Sequence, residues 1–470
     1  MNVKLKYVAL AVLLSLVGFS YGQNSPDYIH LKYDTTGRVT KTIVRAFEDN
    51  SISYIERGGK HYFTAALYDG SFIDVGLKIM EIDASYNVND FKIIDKVLYF
   101  CGNYVKNGKT NGLVGFLNVS DFINDNPVNL NIQNSFKIYN VTNSYIEVVD
   151  LHKIELFYAN ETFHIVTIGK TSTPEYCILE LLPNSLGESN GVYYLGVLDE
   201  LSEVLNDIAV ADNYVITVGS LYSGTTASIR RFSKNGISSD TSLCNTAYIY
   251  PSNNDSQSNY WQEDLTDFLI TPVQNDIVTI ASYWFNPADP ITGNNLRGTM
   301  LRFYNIATLS APTMMSSLSL GQTYYNGGWK LKELDYEPSS QAFTLLQEME
   351  ISANSLVSLF TTLCFTCNQT LHSIGYSNIE FTSFDNINGT HTVMTGFHRN
   401  PSTYFMLVGD RINSQNFCLG NSVNLTLSSR SIYGEKKERE KINYYYDDLL
   451  FNSTTIKVFD STYFDNSCMQ

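Results

Sequence analysis

Two stretches of the sequence share one short design, and this design constrains the fold more than any other feature. Residues 205–220 read LNDIAVADNYVITVGS, and residues 88–102 read VNDFKIIDKVLYFCG. Each stretch predicts two short strands joined by a tight turn, because alternating apolar residues flank turn-forming residues. Three residues fall at the same offsets in both stretches, namely Asp207, Asp212 and Gly219 in one and Asp90, Asp95 and Gly102 in the other. A repeated hairpin of this kind indicates a repeat architecture.

The composition favours strands over helices. The chain contains 33 Tyr and 26 Phe, residues that are enriched in β-strands. Hydrophobic residues make up 44% of the chain and charged residues 17%, which is enough apolar material for a packed core. We therefore expect an all-β protein.

Seven units of the same kind follow one another along the chain. We place their starts near residues 51, 90, 155, 207, 267, 333 and 380, roughly 40 to 66 residues apart. This spacing fits blades of four strands with variable loops. The first unit is predicted from the hairpin at 51–67, whose turn is Gly58-Gly59. A β-solenoid would show shorter and stricter periods, and an array of β-sandwiches would show linkers between domains.

The units resemble generic β-propeller repeats over about residues 45 to 425. The resemblance rests on an inner strand that opens with Asp and leads through a tight turn to a second strand that ends in Gly. Neither a Trp-Asp blade ending nor a recurring kelch Gly-Gly pair is present. The resemblance implies a β-propeller of about seven four-stranded blades, with six or eight blades as the alternatives.

The N-terminus has the pattern of a cleaved signal peptide. Lys4 and Lys6 precede an apolar run at 7–19, and Ser20-Tyr21-Gly22 places small residues at positions −3 and −1 of a cleavage site. A run of 13 residues is too short to cross about 30 Å of hydrocarbon as a helix. We predict a signal peptide at 1–22 and a secreted protein, either extracellular or in the periplasm or cell envelope, with no transmembrane span.

After the signal peptide we assign 23–427 to the propeller and 428–470 to a C-terminal extension that closes the ring or packs on it. A strand near 28–33 is the competing element for closure. Residues 435–441 read EKKEREK, and this charge run predicts an exposed helical turn or loop.

The cysteines do not predict a cofactor or metal site. Seven Cys leave at least one unpaired within a monomer. Cys101 is expected to be a small buried residue in a strand. The pair Cys364 and Cys367 has no second CxxC partner, so a disulfide is favoured over zinc. Cys418 and Cys468 are a candidate disulfide for the tail. We predict no cofactor and no metal.

Acidic residues recur near the starts of the predicted inner strands. They are Asp90, Glu155, Asp207, Asp267, Glu333 and Glu380, while the first unit offers Asn50 or Ser53. Around one mouth of a channel they would attract cations or basic ligands. Asp90, Asp207 and Asp267 are therefore candidate ligand-binding residues. The alternative is that each acid accepts hydrogen bonds from backbone N–H groups and locks adjacent blades.

Aromatic clusters in predicted loops supply the other candidate site. Trp261 follows Tyr260, and Trp329 closes the run 324–329, which reads YYNGGW. Exposed Tyr and Trp rings stack on sugars and contact peptides, so Trp261 and Trp329 are candidate ligand-binding residues. Packing between blades is the alternative.

The charge balance and the absence of catalytic motifs narrow the function. A formal net charge of −16 disfavours binding to nucleic acid. The sequence contains no HExxH, GxSxG, P-loop or GxGxxG motif, so we assign no catalytic residues. The leading prediction is non-catalytic recognition of a protein or a carbohydrate. A carboxylate-dependent hydrolase or lyase at the channel mouth and a structural cell-envelope scaffold are the alternatives. The sequence predicts no oligomeric state.

Overall fold

The computed structural model of the chain describes residues 28–461 with interruptions. The undescribed stretches within that range are 34–37, 69–74, 125–135, 142–145, 160, 174–175, 182–189, 199–203, 212, 222–225, 235–242, 251–261, 274–275, 287–295, 306–314, 321–328, 339–340, 353–354, 365–369, 388–390, 400–403, 411–420, 423–424, 431–433 and 453–455. The predicted signal peptide at 1–22 lies outside the described residues.

The described residues form seven antiparallel four-stranded blades, which we number in the chain order of their inner strands; six are meanders, and the seventh takes its fourth strand from the N-terminus. Blade 1 contains β2 (Val39–Phe47), β3 (Asn50–Arg57), β4 (Lys60–Tyr68) and β5 (Val75–Ile82). Blade 2 contains β6 (Tyr86–Ile94), β7 (Val97–Lys106), β8 (Lys109–Asn118) and β9 (Phe136–Val141). Blade 3 contains β10 (Val148–Ala159), β11 (Thr162–Thr171), β12 (Tyr176–Leu181) and β13 (Asn190–Leu198). Blade 4 contains β14 (Val204–Ala211), β15 (Tyr214–Leu221), β16 (Thr226–Ser233) and β17 (Leu243–Tyr250). Blade 5 contains β18 (Gln262–Val273), β19 (Asp276–Asn286), β20 (Leu296–Asn305) and β21 (Met315–Leu320). Blade 6 contains β22 (Trp329–Glu337), β23 (Ala342–Ser352), β24 (Ser355–Cys364) and β25 (Thr370–Tyr376), and blade 7 contains β26 (Ile379–Ile387), β27 (His391–His398), β28 (Tyr404–Asp410) and the N-terminal strand β1 (Tyr28–Tyr33).

The inner strands of the blades form a closed ring. Each of them contacts the inner strand of the next blade, and β26 of blade 7 contacts β2 of blade 1. This arrangement confirms the prediction of an all-β propeller with about seven four-stranded blades. Hydrogen bonding groups the strands into five sheets, because one long C-terminal strand joins blades 2, 3 and 4 into a single 13-stranded sheet.

Every inner strand contains a β-bulge near its start. The strand pairing skips one residue there, and the skipped residues are Thr40, Asn89, His152, Asn206, Asp267, Lys332 and Thr382. β10 has a second skip, at Val149. A bulge bends its strand and increases the local twist.

The glycine at the end of the second strand is explained by this bulge. A Cβ atom on Gly219 would lie 2.0 Å from the carbonyl oxygen of Val204 on the bulged inner strand. Gly102, on the second strand of blade 2, would meet the carbonyl oxygen of Asn87 at 1.9 Å. The backbones approach too closely for any side chain at these positions, which is why the predicted repeat ends in Gly.

The two ends of the chain cover the outer edges of the blades. At the N-terminus, β1 pairs antiparallel with β28 and completes blade 7. At the C-terminus, four strands run backwards around the ring: β29 (Asn421–Ser422), β30 (Leu425–Arg430), β31 (Gly434–Asn452) and β32 (Lys457–Ser461). We call these four strands, together with Ile456, the belt.

Successive parts of the belt pair with the outer strands of successive blades. β29 pairs with β25 of blade 6, and β30 pairs with β21 of blade 5. β31 then pairs with β17, β13 and β9 of blades 4, 3 and 2, and β32 pairs with β5 of blade 1. Each blade edge therefore has a covering strand, from the belt in blades 1 to 6 and from β1 in blade 7.

The structure corrects two sequence predictions. The run 435–441 was predicted as a helical turn or loop but lies in strand β31, where the free edge of β17 supplies its backbone partners. The first unit was predicted to begin at 51 with Asn50 or Ser53 in the inner-strand position. Its inner strand is instead β2, and the hairpin at 51–67 consists of the second and third strands, β3 and β4.

The apolar core lies between neighbouring blades. One cluster joins blades 1 and 2 through Phe63, Phe91 and Phe100, and it also contains Ile456, which lies in the belt just before β32. Cys101 and Cys177 are free and buried in the cluster between blades 2 and 3, as expected for Cys101. The cysteine side chains considered for disulfides, Cys364, Cys367, Cys418 and Cys468, lie outside the described residues.

A short helix, α1 (Val119–Asn124), follows the third strand of blade 2. The backbone N–H of Asp121 donates to the side chain of Asn118 at 3.2 Å, so Asn118 caps the helix. Val119 and Phe122 are buried and attach the helix to the same core.

Candidate functional site

Arg45 on β2 extends into the centre of the ring and joins four blades. Its guanidinium lies 2.8 Å from the carboxylate of Asp90 in blade 2 and 2.7 Å from that of Glu333 in blade 6. It also donates to the carbonyl oxygen of Phe91 at 3.1 Å and to the hydroxyl of Ser383 in blade 7 at 3.2 Å. The residue is only 8% exposed. A buried guanidinium needs such partners, because an unpaired charge in the interior is costly.

Two lysines balance the other carboxylates at the centre. Lys153 of blade 3 lies 3.8 Å from Asp207 of blade 4. Lys92 of blade 2 lies 3.0 Å from Glu155 of blade 3. Among the described side chains, three cations and four carboxylates meet at the centre of the ring, where the sequence predicted a cluster of acids alone.

These charged side chains surround a small polar cavity, which we call the channel cavity. Its volume is about 50 Å³. That is room for about four water molecules, and it lies well below the roughly 300 Å³ at which small-molecule pockets begin. A sugar ring or a peptide side chain would have to displace the ion pairs to enter it.

The structure places Asp90 and Asp207 together at this cavity, and both bind backbone groups of the next blade. Asp90 accepts a hydrogen bond from the N–H of Ile154 at 3.3 Å, and Asp207 accepts one from the N–H of Ile270 at 3.0 Å. Asp90 is 3% exposed and Asp207 is 8% exposed. Their carboxylates thus lock neighbouring blades, which is the alternative role that the sequence left open. Binding of a ligand by these residues remains a prediction.

Glu333 connects blades 6 and 7 in the same way, by accepting hydrogen bonds from the next blade. One of its carboxylate oxygens accepts hydrogen bonds from the hydroxyl of Ser383 at 2.7 Å and from the N–H of Phe384 at 2.8 Å. Its other oxygen binds Arg45. In blade 7, Asp385 accepts from the N–H of Ala46 at 2.8 Å and so connects the last blade to the first.

The acids at the centre differ in their proton affinity. Burial alone would raise the pKa of Asp90, but Lys153 and Arg45 outweigh it and hold the pKa below its usual value. Burial raises the pKa of Glu155 and of Asp207, against the opposing effect of their lysine partners. Burial also raises the pKa of Asp385 to about 6, although Arg45 acts to lower it.

The remaining predicted acids and aromatics lie elsewhere. Asp267 occupies the bulge position of β18, and its side chain lies outside the described residues. Glu380 lies before the bulge of β26 and pairs with Lys332 at 3.1 Å. Trp329 is the first residue of β22, but its side chain is not described, and Trp261 lies outside the described residues.

Polar residues at the bulges also connect blades, and the sequence reasoning missed them. The side-chain amide of Asn89 donates to the carbonyl oxygen of Leu151 at 2.9 Å. In the next blade, His152 Nε2 lies 2.7 Å from the carbonyl oxygen of Leu205. Burial lowers the pKa of His152, so its neutral ring donates this bond. The signal that could have identified these residues is their position directly before Asp90 and Lys153.

A second candidate site is an aromatic patch across blades 2 and 3, formed by Tyr99, Phe116, Tyr158 and Phe163. Ring centroids lie 5.2 Å apart for Tyr99 and Phe163, 5.2 Å for Tyr158 and Phe163, and 6.2 Å for Tyr99 and Phe116. Tyr158 is 51% exposed, and the other three rings are partly buried. The patch thus presents the ring of Tyr158 to solvent at the boundary of two blades, with partly buried rings beside it.

Charged groups surround this aromatic patch. The hydroxyl of Tyr158 donates to the carboxylate of Asp95, which lies in the turn between β6 and β7. The ammonium of Lys137 lies 5.8 Å from the centroid of Phe116. An exposed ring beside a carboxylate and an ammonium can stack on an apolar or sugar face and form hydrogen bonds at its rim.

No family model matches the sequence, and no curated protein matches it. Among solved structures, the chain is similar to the polysaccharide lyase Uly1, with a TM-score of 0.36 and 8% identity over 80% of this chain and 91% of that one. It is also similar to a mutant of the Bombyx mori GH32 beta-fructofuranosidase BmSUC1 in complex with sucrose, with a TM-score of 0.20 and 8% identity over 86% and 93% of the two chains. Similarities this low carry no functional argument, and the propeller assignment rests on the strand pairing.

Within the described part of the chain, no group of three or more His, Cys, Asp or Glu residues is arranged to hold a metal ion. Among the described helices, none has the length and apolar character needed to cross a membrane.

Proposed function

We propose that the protein is a non-catalytic recognition module that binds a carbohydrate or a protein segment through the aromatic patch. The observation that supports this proposal is the half-exposed ring of Tyr158, which lies among three further aromatic rings and beside Asp95. Aromatic residues dominate the binding energy of many recognition surfaces, because they bury a large area at a small cost in side-chain entropy.

The channel cavity favours this reading over the hydrolase or lyase alternative. A glycosidase needs two carboxylates separated by enough room for the substrate bond. Here Asp207 and Glu155 are each close to a lysine, and the cavity of about 50 Å³ is too small for a sugar.

The belt bears on the scaffold alternative. A scaffold that assembles through blade edges would need those edges to be open for pairing. The chain's own strands cover them, so we assign recognition to a face of the ring and not to its circumference.

We further propose that recognition takes place outside the cytoplasm. The basis is the N-terminal pattern of Lys4, Lys6, an apolar run at 7–19 and small residues at Ser20 and Gly22. Mass spectrometry of the protein from its native source tests this point, and a mature N-terminus at Gln23 is the expected result.

The binding test compares Tyr158→Ala with a matched control, Leu356→Ala, which truncates another exposed apolar residue in blade 6. The full-length protein is first applied to glycan and peptide arrays, and the affinity for the ligands found is then measured by calorimetry. Truncation of Tyr158 should weaken binding at least about tenfold, as expected for a central aromatic contact. The control should bind normally.

Two results would contradict the proposal. One is a ligand whose affinity is the same for both variants and the wild type. The other is turnover of a polysaccharide that is lost in Asp207→Asn, which would instead support the hydrolase or lyase alternative.

A further inference from the structure

The described strands of the belt pair with the blades and not with one another, and this determines when the belt can join the assembling ring. Among the described strands, β31 pairs with β17, β13 and β9 and with no strand near it in sequence. An isolated extended segment leaves its N–H and C=O groups without backbone partners. It therefore becomes ordered only when the outer strands of the blades are already in place to pair with it. Hairpins within a blade close shorter loops and are free to form first.

Three features connect blades 4 to 1 through β31 and the residues that follow it. β31 is continuous across three blades, with residues 434–441 on blade 4 and 442–450 on blade 3. At Leu449 and Leu450 it is paired on both sides, with β13 on one edge and β9 on the other. Beyond it, the side chain of Ile456 is buried in the core between blades 1 and 2.

The charge run of β31 explains why pairing stops at the belt. Residues 435–441 all carry charges, and this part of the strand pairs only with β17 among the described strands. Charged side chains on an edge strand oppose the addition of a further strand. Over blade 4, the belt therefore covers the blade edge without creating a new edge that favours pairing with another strand.

We propose that the belt docks as one cooperative unit onto the finished ring and fastens its blades from the outside. The belt is then a clasp that opens and closes as a whole, and its release uncovers the outer edges of six blades together. This inference is independent of the proposed binding function.

Hydrogen exchange of the full-length protein at residue resolution tests the pairing itself. Along 434–441, protection should alternate from residue to residue, because alternate N–H groups of an edge strand face its partner. At Leu449 and Leu450 both amides should be protected, since both edges are paired there. Continuous protection along 434–441, as in a helix, or exchange at the unprotected rate would overturn the proposal.

The variant Ile456→Ala tests whether the belt is one unit. Truncating the buried side chain should speed exchange at least about tenfold at every paired amide of the belt, including 434–441 on blade 4. Amides of the inner strand β14 should keep their wild-type rates. Ile456→Val should give a smaller change of the same pattern, and Val105→Ala, an exposed position, should give none.

The opposite outcomes are equally clear. Faster exchange confined to 457–461 would mean that the belt consists of independent segments. A uniform increase throughout the ring would mean that the belt does not open separately from the blades. Leu449→Pro provides a second test, because a proline at a doubly paired position must remove a ladder hydrogen bond and should release the belt in the same pattern.

Discussion

At the scale of single residues, Arg45 holds the centre of the ring together. It is the shared partner of Asp90 and Glu333, which come from blades on either side of it. A buried ion pair adds little net stability compared with an apolar pair, but removing one partner leaves an uncompensated charge. The loss of stability on removing Arg45 is therefore expected to be much larger than the net stability that its ion pairs contribute.

We predict that Arg45→Met lowers the free energy of unfolding by about 3 to 5 kcal/mol, because two buried carboxylates lose their cation. Urea denaturation of the full-length protein measures this change. Lys96→Met is the matched control, since its ion pair with Glu48 is 3.7 Å long and exposed, and it should change stability by less than about 1 kcal/mol. Equal effects of the two substitutions would contradict this account of the channel.

Asp385 gives the ring a predictable pH dependence. Its pKa of about 6 in the folded protein lies above its ordinary value of 3.8. The folded state therefore binds more protons between about pH 4 and pH 6, and stability falls as the pH rises through this window. Asp385→Asn should remove this loss, so its stability relative to wild type should increase from pH 4 to pH 7.

Asp83→Asn is the control with the opposite sign. Hydrogen bonds from Ser85 hold the pKa of the exposed Asp83 below its ordinary value. The ionised carboxylate therefore stabilises the fold at neutral pH, and this stabilisation is lost as the pH falls. Its substitution should lower stability most at neutral pH. Denaturation series at several pH values distinguish the two profiles, and parallel profiles would contradict the assignment.

At the scale of the elements, the unit of this fold is a bulged inner strand, which glycine opposes in four of the seven blades. In those four blades the inner strand brings a carbonyl group against the backbone of the second strand, and in blades 1, 5 and 6 the opposed residues are Arg57, Ser282 and Gln347. Gly102, Gly169, Gly219 and Gly396 all show this close approach.

We predict that Gly219→Ala lowers the free energy of unfolding by about 2 to 4 kcal/mol, because its Cβ would overlap the carbonyl group of Val204. Gly59→Ala is the contrasting variant. Its site is open, and only its φ of +74° disfavours a side chain, so a loss of about 1 kcal/mol is expected. Thermal and urea denaturation compare them, and a larger loss for Gly59→Ala would refute the role of the bulge.

At the scale of the whole molecule, the ring is closed by residues from opposite ends of the chain. Leu31 of β1 lies opposite Met406 of β28. The variant with Cys at both positions should form a disulfide on oxidation, because directly opposed residues of an antiparallel pair lie within bonding range. Peptide mapping by mass spectrometry detects the link.

A one-residue offset serves as the control for this register. Cys at positions 32 and 406 should not become linked, since successive residues of a strand point to opposite faces. A disulfide in the offset variant, or none in the aligned one, would show that blade 7 closes in another way.

Much of the fold was predictable from local patterns. The offsets of Asp207 and Gly219 predicted a hairpin unit, and the number of such units predicted about seven blades. The placement of the first blade failed, because its residues at the positions of the Asp and Gly that recur in blades 2 and 4 are Lys41 and Arg57. The helical prediction for 435–441 failed since the partner of that strand is about 190 residues away in the sequence.

The candidate site was less predictable than the fold. Alignment of the units correctly placed Asp90, Asp207 and Glu333 at equivalent positions after the bulges. It did not reveal that Arg45, Lys92 and Lys153 come to the same cavity, because charge pairing between blades leaves no repeated spacing in the sequence. The aromatic patch was missed for the same reason, as Tyr99 and Tyr158 belong to different blades.

The sequence by itself determined the local unit of this protein, because strand alternation, tight turns and the demand for glycine act between residues close along the chain. Only the tertiary structure decided which charges neutralise one another, which rings meet at the surface, and that strands β29 to β32 cover the outer edges of six blades. Those outcomes depend on contacts between blades and between chain ends. The physical requirement they meet is the pairing of buried charges and of free strand edges.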